Sequence, residues 1–193
     1  MNKKIFSLIC AVSCSLIWGT AFVAQDMGMD YIGPYTFSAV RLLLGFFTLL
    51  PFFFIFEFKK VKETKLSFEK IFIYLFFLGF FLAGGNIFQQ VSLLYTDVAN
   101  SAVFTVLYVV IVPIIAYFLF SKKIHNSVWP SVLMCLVGGL FLSELGNLRV
   151  RFGDSLVVVG AFFWAFHIVY ISKFLKIFNL SLIHISEPTR RPK

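Results

Sequence analysis

The sequence predicts an all-α membrane protein, a polytopic bundle of six transmembrane helices. First, 60% of the 193 residues are apolar and 13% are charged, and a soluble core of this size could not bury so much apolar surface. Second, the apolar residues fall into six runs, most of them close to the ~20 residues that a helix needs to cross the hydrocarbon core. Third, the basic residues lie almost entirely in alternate loops, as in proteins oriented in a membrane.

The six predicted spans are separated by short polar loops. The first, third and fourth spans contain no charged residue, and the second contains only Arg41. Pro34 opens the second span, where its missing N–H costs nothing because the first turn of a helix has no partner for it. The spans are Ile5–Gln25, Pro34–Phe56, Ile71–Tyr95, Ala99–Phe120, Val128–Ser143 and Ser155–Ser172.

Loop charge predicts the orientation. Eleven basic residues fall on one side of the membrane, and only Arg149 and Arg151 fall on the other, beside five acidic residues. Basic loops stay in the cytoplasm, so we expect a multi-pass protein of the plasma (inner) membrane with a cytoplasmic N-terminus. A cleaved signal peptide is the alternative for the first span, but its run of about 20 residues exceeds the usual 7–15. The cytoplasmic set is Lys3, Lys4, Lys59, Lys60, Lys62, Lys65, Lys70, Lys122, Lys123, Lys173 and Lys176.

The first and sixth spans have related centres. Ser15–Val23 and Ala161–Val169 each carry Trp at the fourth position, with small residues nearby. The two starts are five spans apart, an odd number, so the second copy enters the membrane from the opposite side. Such an inverted repeat is typical of secondary transporters, although chance similarity between apolar segments is the alternative.

This repeat sets the predicted domain organisation. Residues 1–143 form a first five-helix repeat, and residues 144–179 contribute a loop and the first helix of an inverted second repeat. Residues 180–193 change abruptly to a polar composition. They are either a short cytoplasmic tail or the translation of a sequencing adapter, in which case the natural chain continues differently beyond Asn179 and His184 has no role.

Arg41 is the sole charged residue within the predicted spans, about two turns inside the second. Ionisable groups at membrane depth are costly and are candidates for function. Arg41 is therefore predicted to bind an anionic or carboxylate group of a substrate. The alternatives are a side chain that extends outward to the interface, or one that pairs with Asp26, Asp30 or Asp97.

Amide and aromatic side chains complete the candidate site. Asn86 and Gln90 are predicted to line a substrate path, with hydrogen bonding between helices as the alternative, and Gln89 is predicted to hydrogen bond between helices. Trp18 and Trp164 lie in mid-span, away from the interfaces where Trp is commonest, which indicates a wet cavity or simple packing. Tyr108 stands one turn after Phe104, before a bend at Pro113 that is either a hinge or static. His167 is either a proton relay or a neutral side chain bonded to a backbone carbonyl.

Other functional classes are not supported. The net charge of +8 comes from short loops beside spans, not from a phosphate-binding face, so no nucleic-acid partner is predicted. The Cys residues all lie in apolar runs, and no metal site, cofactor or enzyme motif is present. We expect the lipid bilayer and a small-molecule substrate as partners. The oligomeric state is not predicted. The three Cys are Cys10, Cys14 and Cys135.

Five short segments of the predicted spans lie at 17–23, 34–41, 99–114, 138–139 and 163–165. In their order and spacing, these segments resemble the EamA family of the drug/metabolite transporter superfamily. The resemblance implies a ten-helix permease of two inverted five-helix repeats that exports small metabolites or drug-like compounds by alternating access. A non-transporting six-span scaffold or assembly subunit is the alternative function. The loop after the fourth span departs from the family, because 121–124 reads Ser-Lys-Lys-Ile where an acid is frequent.

Overall fold

A computed structural model describes residues 3–58, 67–120, 126, 128–142 and 151–178 of the chain. Within these ranges every regular element is a helix, which confirms the predicted all-α polytopic bundle. The lysine-rich loop at 59–66, the pair Lys122 and Lys123, Arg149 and the tail at 180–193 lie outside the described residues. The helices are α1 (Lys3–Met29), α2 (Pro34–Phe56), α3 (Phe68–Ser92), α4 (Val98–Thr105), α5 (Tyr108–Phe120), α6 (Val128–Leu142) and α7 (Phe152–Phe178).

Five segments of the described chain are long and apolar enough to cross a membrane: α1, α2, α3, α4 together with α5, and α7. The fifth predicted span corresponds to α6, which has 15 residues. At 1.5 Å per residue the described part of this helix, Val128–Leu142, is about 23 Å long. The third helix ends at Ser92, three residues before the predicted boundary, and a turn follows it.

The fourth span differs from its prediction as one helix bent at Pro113. It is two helices separated at Val106–Leu107, while Pro113 lies inside α5. Around the break the bonds tighten to the 3₁₀ spacing, with Val109 N–H donating to Val106 O (2.9 Å) and Val110 N–H to Leu107 O (3.0 Å). The ring of a proline displaces the carbonyl four residues earlier. For Pro113 this is the carbonyl of Val109, whereas the break lies two to three residues earlier and ends α4 just ahead of Tyr108.

The interface between α3 and α7 is the most extensive in the bundle, and α7 also contacts α4 and α5. Glycines of α3 allow the two helices to approach each other closely. A Cβ atom built on Gly84 would lie 2.3 Å from Phe163 Cδ1, and one on Gly85 would lie 3.1 Å from Trp164 Cδ1. Small residues permit this approach of helices in a membrane, where the hydrophobic effect does not drive association between them. The fold therefore seats two aromatic rings of α7 directly on the backbone of α3.

The N-terminus of α7 is fastened to the turn between α3 and α4. The buried Asp154 carboxylate accepts the backbone N–H of Arg151 (2.8 Å) and the hydroxyl of Thr96. The first of these bonds is half of a capping box, which satisfies an N–H that the helix leaves free. Arg151 also pairs with Asp97 across 2.6 Å. These contacts fix the height at which α7 meets α3.

We expect Gly85→Val to destabilise the protein, because its side chain collides with Trp164 and overpacking costs about 1–3 kcal/mol. Gly79→Val is the matched control, since Gly79 lies on the same helix and a Cβ there meets nothing within 4 Å. Thermal unfolding of detergent-purified protein, followed by size-exclusion chromatography, measures the effect. Equal melting of the two variants would contradict the packing described for α3 and α7.

Candidate functional site

Three predicted aromatic residues form one cluster at the middle of the bundle. Trp18 of α1 stacks on Tyr108 at the start of α5, with ring centroids 6.2 Å apart and planes 11° apart. Trp18 also meets Trp164 of α7, with centroids 6.2 Å apart and planes inclined at 54°. Offset and tilted rings at these separations attract each other beyond their area of contact. The break between α4 and α5 brings Tyr108 to this position.

One buried polar atom of the aromatic cluster has no hydrogen-bond partner among the described residues. Trp164 Nε1 is buried and no hydrogen-bond acceptor reaches it within the described part of the chain. Its ring stands on Gly85 on one side and lies edge-on to His167 on another, with centroids 6.2 Å apart. His167 Nδ1 lies 3.1 Å from the backbone oxygen of Leu78, which matches the neutral, carbonyl-bonded alternative from the sequence. The cluster thus presents an indole N–H that can donate to a bound molecule.

The second group of predicted residues is polar and begins at Asn86, the residue of α3 that follows the contact between Gly85 and Trp164. Arg41 of α2 donates from Nη2 to Oδ1 of Asn86, which follows Gly85 in the chain. Asn86 Nδ2 is held by Leu82 O at 2.8 Å, so its oxygen is turned toward Arg41. Neither side chain lies at a helix end, and Asn86 is buried. The structure therefore gives Arg41 an amide partner rather than one of the carboxylates considered as an alternative.

The positive charge of Arg41 is not balanced by an acidic side chain among the described residues. Asp97 pairs with Arg151, and both Asp26 and Asp30 are exposed. A guanidinium has five N–H donors. The hydrogen bond to Asn86 uses only the Nη2 nitrogen of Arg41. Burying a charge is strongly unfavourable unless it is paired. The arrangement is thus suited to an anionic group with two acceptor atoms, such as a carboxylate.

Gln90 extends the polar group toward α1. Its side chain is fully buried, at 0% exposure, and Nε2 lies 3.4 Å from the backbone oxygen of Gln25. The Oε1 atoms of Gln25 and Gln90 and the hydroxyl of Ser38 are buried without a hydrogen-bond partner in the described chain. Ser38 lies one turn before Arg41 on α2. Five polar residues of three helices, Gln25, Ser38, Arg41, Asn86 and Gln90, therefore form a polar group beside the aromatic cluster.

Sequence reasoning missed part of this group. Gln25 was treated as the end of the first span, although a Gln there could have been recognised as one more buried amide. Ser38, one turn before Arg41 on the same helix, was not among the predicted site residues. Gln89, expected to hydrogen bond between helices, is buried with its Nε2 unpaired within the described ranges. No pattern in one sequence pairs Arg41 with Asn86, 45 residues later.

A groove of about 310 Å³ lies between α1 and α4. Trp18 and Tyr108 form one end of it, and the rest of its wall is small or apolar. Ser15, Gly19 and Val23 supply the α1 side. The groove therefore adjoins the aromatic cluster but carries none of the polar group.

Comparison with known proteins gives a consistent result. The model of the EamA-like transporter family matches residues 5–144. An "uncharacterized transporter" of Archaeoglobus fulgidus is 27% identical over 181 residues, covering 94% of this chain and 54% of that protein. The "uncharacterized transporter YoaV" of Bacillus subtilis is 27% identical over 179 residues, covering 91% of this chain and 59% of that protein. The chain thus spans somewhat more than half the length of these relatives. No solved structure matches it.

We expect Asn86→Leu to destabilise the protein by about 1–3 kcal/mol, because it leaves the half-buried Arg41 guanidinium without its acceptor. Adding Arg41→Leu should restore most of that loss, since the unpaired charge is then removed. Melting temperatures of the two single variants and the double variant give the coupling between the residues. Additive losses would mean that the two side chains do not interact.

Proposed function

The chain belongs to the EamA-like transporter family, and from this premise we propose that it forms part of an exporter of small metabolites or drug-like compounds. The family match confirms the resemblance found in the sequence. In the proposed mechanism, two inverted repeats rock against each other about a site at the membrane midplane. The chain supplies the first repeat, at 1–143, and the opening helix of the second.

The contact between Trp18 and Trp164 carries the proposal. These residues occupy equivalent positions in the two copies of the repeated segment, near the middle of α1 and of α7. A two-fold axis that relates two inverted repeats brings equivalent residues into contact only where they lie beside the axis. Substrate sites of inverted-repeat transporters lie at the repeat interface near the midplane. The meeting of the two indoles therefore supports a shared site at this level.

The substrate-binding residues that we propose fall into an aromatic group and a polar group. Trp18, Tyr108 and Trp164 offer ring faces and one indole N–H to a planar or apolar body. Arg41, oriented by Asn86, binds an anionic group, because its charge has no acidic partner among the described residues. Gln90 contributes an amide oxygen one turn further along α3, toward the extracytoplasmic side of the membrane. A small organic anion with an apolar part satisfies both halves of the site.

The unbalanced charge also bears on the alternative of a membrane scaffold. In a scaffold, nothing would compensate for the free-energy cost of placing a half-buried guanidinium with one neutral acceptor within a membrane span, whereas a substrate anion offsets that cost in the bound state. We further propose that the protein is not an enzyme, that it resides in the plasma (inner) membrane, and that its N-terminus is cytoplasmic. Because the curated relatives extend well beyond this chain, the complete site is proposed to include residues of the second repeat.

We expect Arg41→Lys to reduce efflux to about a tenth of the wild-type rate, because Lys lacks the planar pair of donors that binds a carboxylate and charge-assisted bonds contribute ~1.5–3 kcal/mol. A mass-spectrometric screen of anionic metabolites released by cells that express the uninterrupted gene supplies the substrate. Rates are normalised to the protein present in the membrane.

Arg151→Lys is the matched control for this experiment, since Arg151 pairs with Asp97 outside the proposed site and Lys preserves that pair. Arg41→Leu should insert into the membrane at least as well as the parent, because it removes a buried charge. Wild-type efflux from both Arg41 variants would exclude Arg41 from the binding site.

A further inference from the structure

Two amide side chains of the polar group have their orientation fixed by the backbone. Nε2 of Gln25 donates to the backbone oxygen of Ala21 (3.0 Å), and Nε2 of Gln90 lies 3.4 Å from the backbone oxygen of Gln25. A carbonyl oxygen can only accept a hydrogen bond, so in each pair the nitrogen of the amide must face it. The Oε1 atom is therefore the free end of both side chains.

Both free ends are buried acceptors. Gln25 is 3% exposed and Gln90 is 0% exposed, and neither Oε1 atom has a hydrogen-bond partner in the part of the chain that the structure describes. A buried polar atom without a partner is costly. Gln89, the third buried amide of this region, differs because its unpaired atom is Nε2, a donor. Gln25 and Gln90 are thus suited to a molecule that supplies hydrogen-bond donors.

The two acceptors lie within a short distance of the guanidinium of Arg41. Gln90 follows Asn86, the partner of Arg41, by four residues of α3. Residues at this spacing lie on one face of a helix, with Cβ atoms about 5–6 Å apart. The guanidinium only donates hydrogen bonds, and the two amide oxygens only accept them. An anion without a donor would pair with Arg41 and leave both oxygens unsatisfied.

Charge indicates which kind of donor fits. The carboxylate of a bound molecule balances the positive charge of Arg41. An ammonium group would add a second positive charge, and the polar group contains no acidic residue to balance it. An unbalanced charge at membrane depth is costly. A hydroxyl group donates a hydrogen bond without adding charge, so it suits the two amide oxygens better.

We propose that Gln25 and Gln90 determine the specificity of the site, by selecting carboxylates that carry a hydroxyl group over carboxylates that have no donor. This rests on the proposed function, because Arg41 must bind the carboxylate. A site built to hydrogen bond a substrate hydroxyl rejects the analogue that lacks it, since the buried polar groups of the site are then left unpaired. Gln25 thereby joins Gln90 among the residues that contact the substrate.

Three acids with one carbon skeleton test this selection. 3-Phenylpropionate, 2-hydroxy-3-phenylpropionate and phenylalanine differ in carrying hydrogen, hydroxyl or ammonium on the carbon beside the carboxylate. Each is titrated into the detergent-purified product of the uninterrupted native reading frame. Quenching of tryptophan fluorescence gives Kd, because Trp18 and Trp164 belong to the aromatic cluster. We expect the hydroxy acid to bind about tenfold or more tightly than either of the other acids.

Substitution of the two amides tests which residues are responsible. Gln25→Met and Gln90→Met remove the acceptors at nearly constant volume. Each should reduce the preference for the hydroxy acid over 3-phenylpropionate to about threefold or less, by weakening the first and sparing the second. A folding defect would instead weaken both acids together. Gln89→Met is the matched control and should keep the preference, because the unpaired atom of Gln89 is a donor.

The possible outcomes separate this proposal from the proposed function. Equal binding of the three acids, lost in Arg41→Leu, would overturn selection by the amides and leave the anion site standing. Tightest binding of phenylalanine would overturn the choice of an uncharged donor, and a preference that survives in both Met variants would overturn the assignment to Gln25 and Gln90. Binding of none of the acids, or binding unchanged in Arg41→Leu, would contradict the proposed function as well. The comparison in the parent protein needs no variant and stands even if a variant does not fold.

Discussion

The close approach of α7 to α3 determines where the rest of the site lies. Gly84 and Gly85 remove two side chains from α3, and Phe163 and Trp164 occupy the space. Trp164 thereby comes within reach of Trp18. Asn86, the next residue of α3, is held at the level where Arg41 enters from α2. A larger residue at Gly85 would disturb the aromatic cluster directly and the polar group through the backbone.

Membrane burial gives this arrangement its significance. On a surface in contact with water, an Arg–Asn pair and a few amides without protein partners would hydrogen bond to water. In a protein that spans a bilayer, each unpaired polar atom is costly, because lipid offers no hydrogen bonds. The described structure nevertheless concentrates Gln25, Ser38, Arg41 and Gln90 between three helices. A bound polar molecule would satisfy groups that the described protein leaves unpaired, which is the physical basis for treating this region as a binding site.

Hydropathy and loop charge predicted the helical class and the position of each span, because bilayer thickness imposes length and apolar composition directly. They could not predict that the fourth span divides at Val106–Leu107, since the proline that suggests a bend lies inside α5, about two turns later. The residues of the candidate site were found by depth and type. Their pairing was not, because the contact of Arg41 with Asn86 depends on how α2 lies against α3, and no periodicity along one helix encodes a crossing of two. Gln25 was missed for a different reason: it was assigned to the end of the first span, although an amide in an apolar run could have been recognised as a candidate.

The central claim is that α1 and α7 are inverted copies that meet at one site, and topology tests it most directly. In a background free of native Cys, we expect Cys introduced at Asp30, just after α1, and at Phe152, where α7 begins, to react with an impermeant thiol reagent applied to intact cells. Cys at Lys62 should react only after permeabilisation. Labelling of Asp30 and Phe152 from opposite sides of the membrane, or of Lys62 in intact cells, would contradict the inverted arrangement.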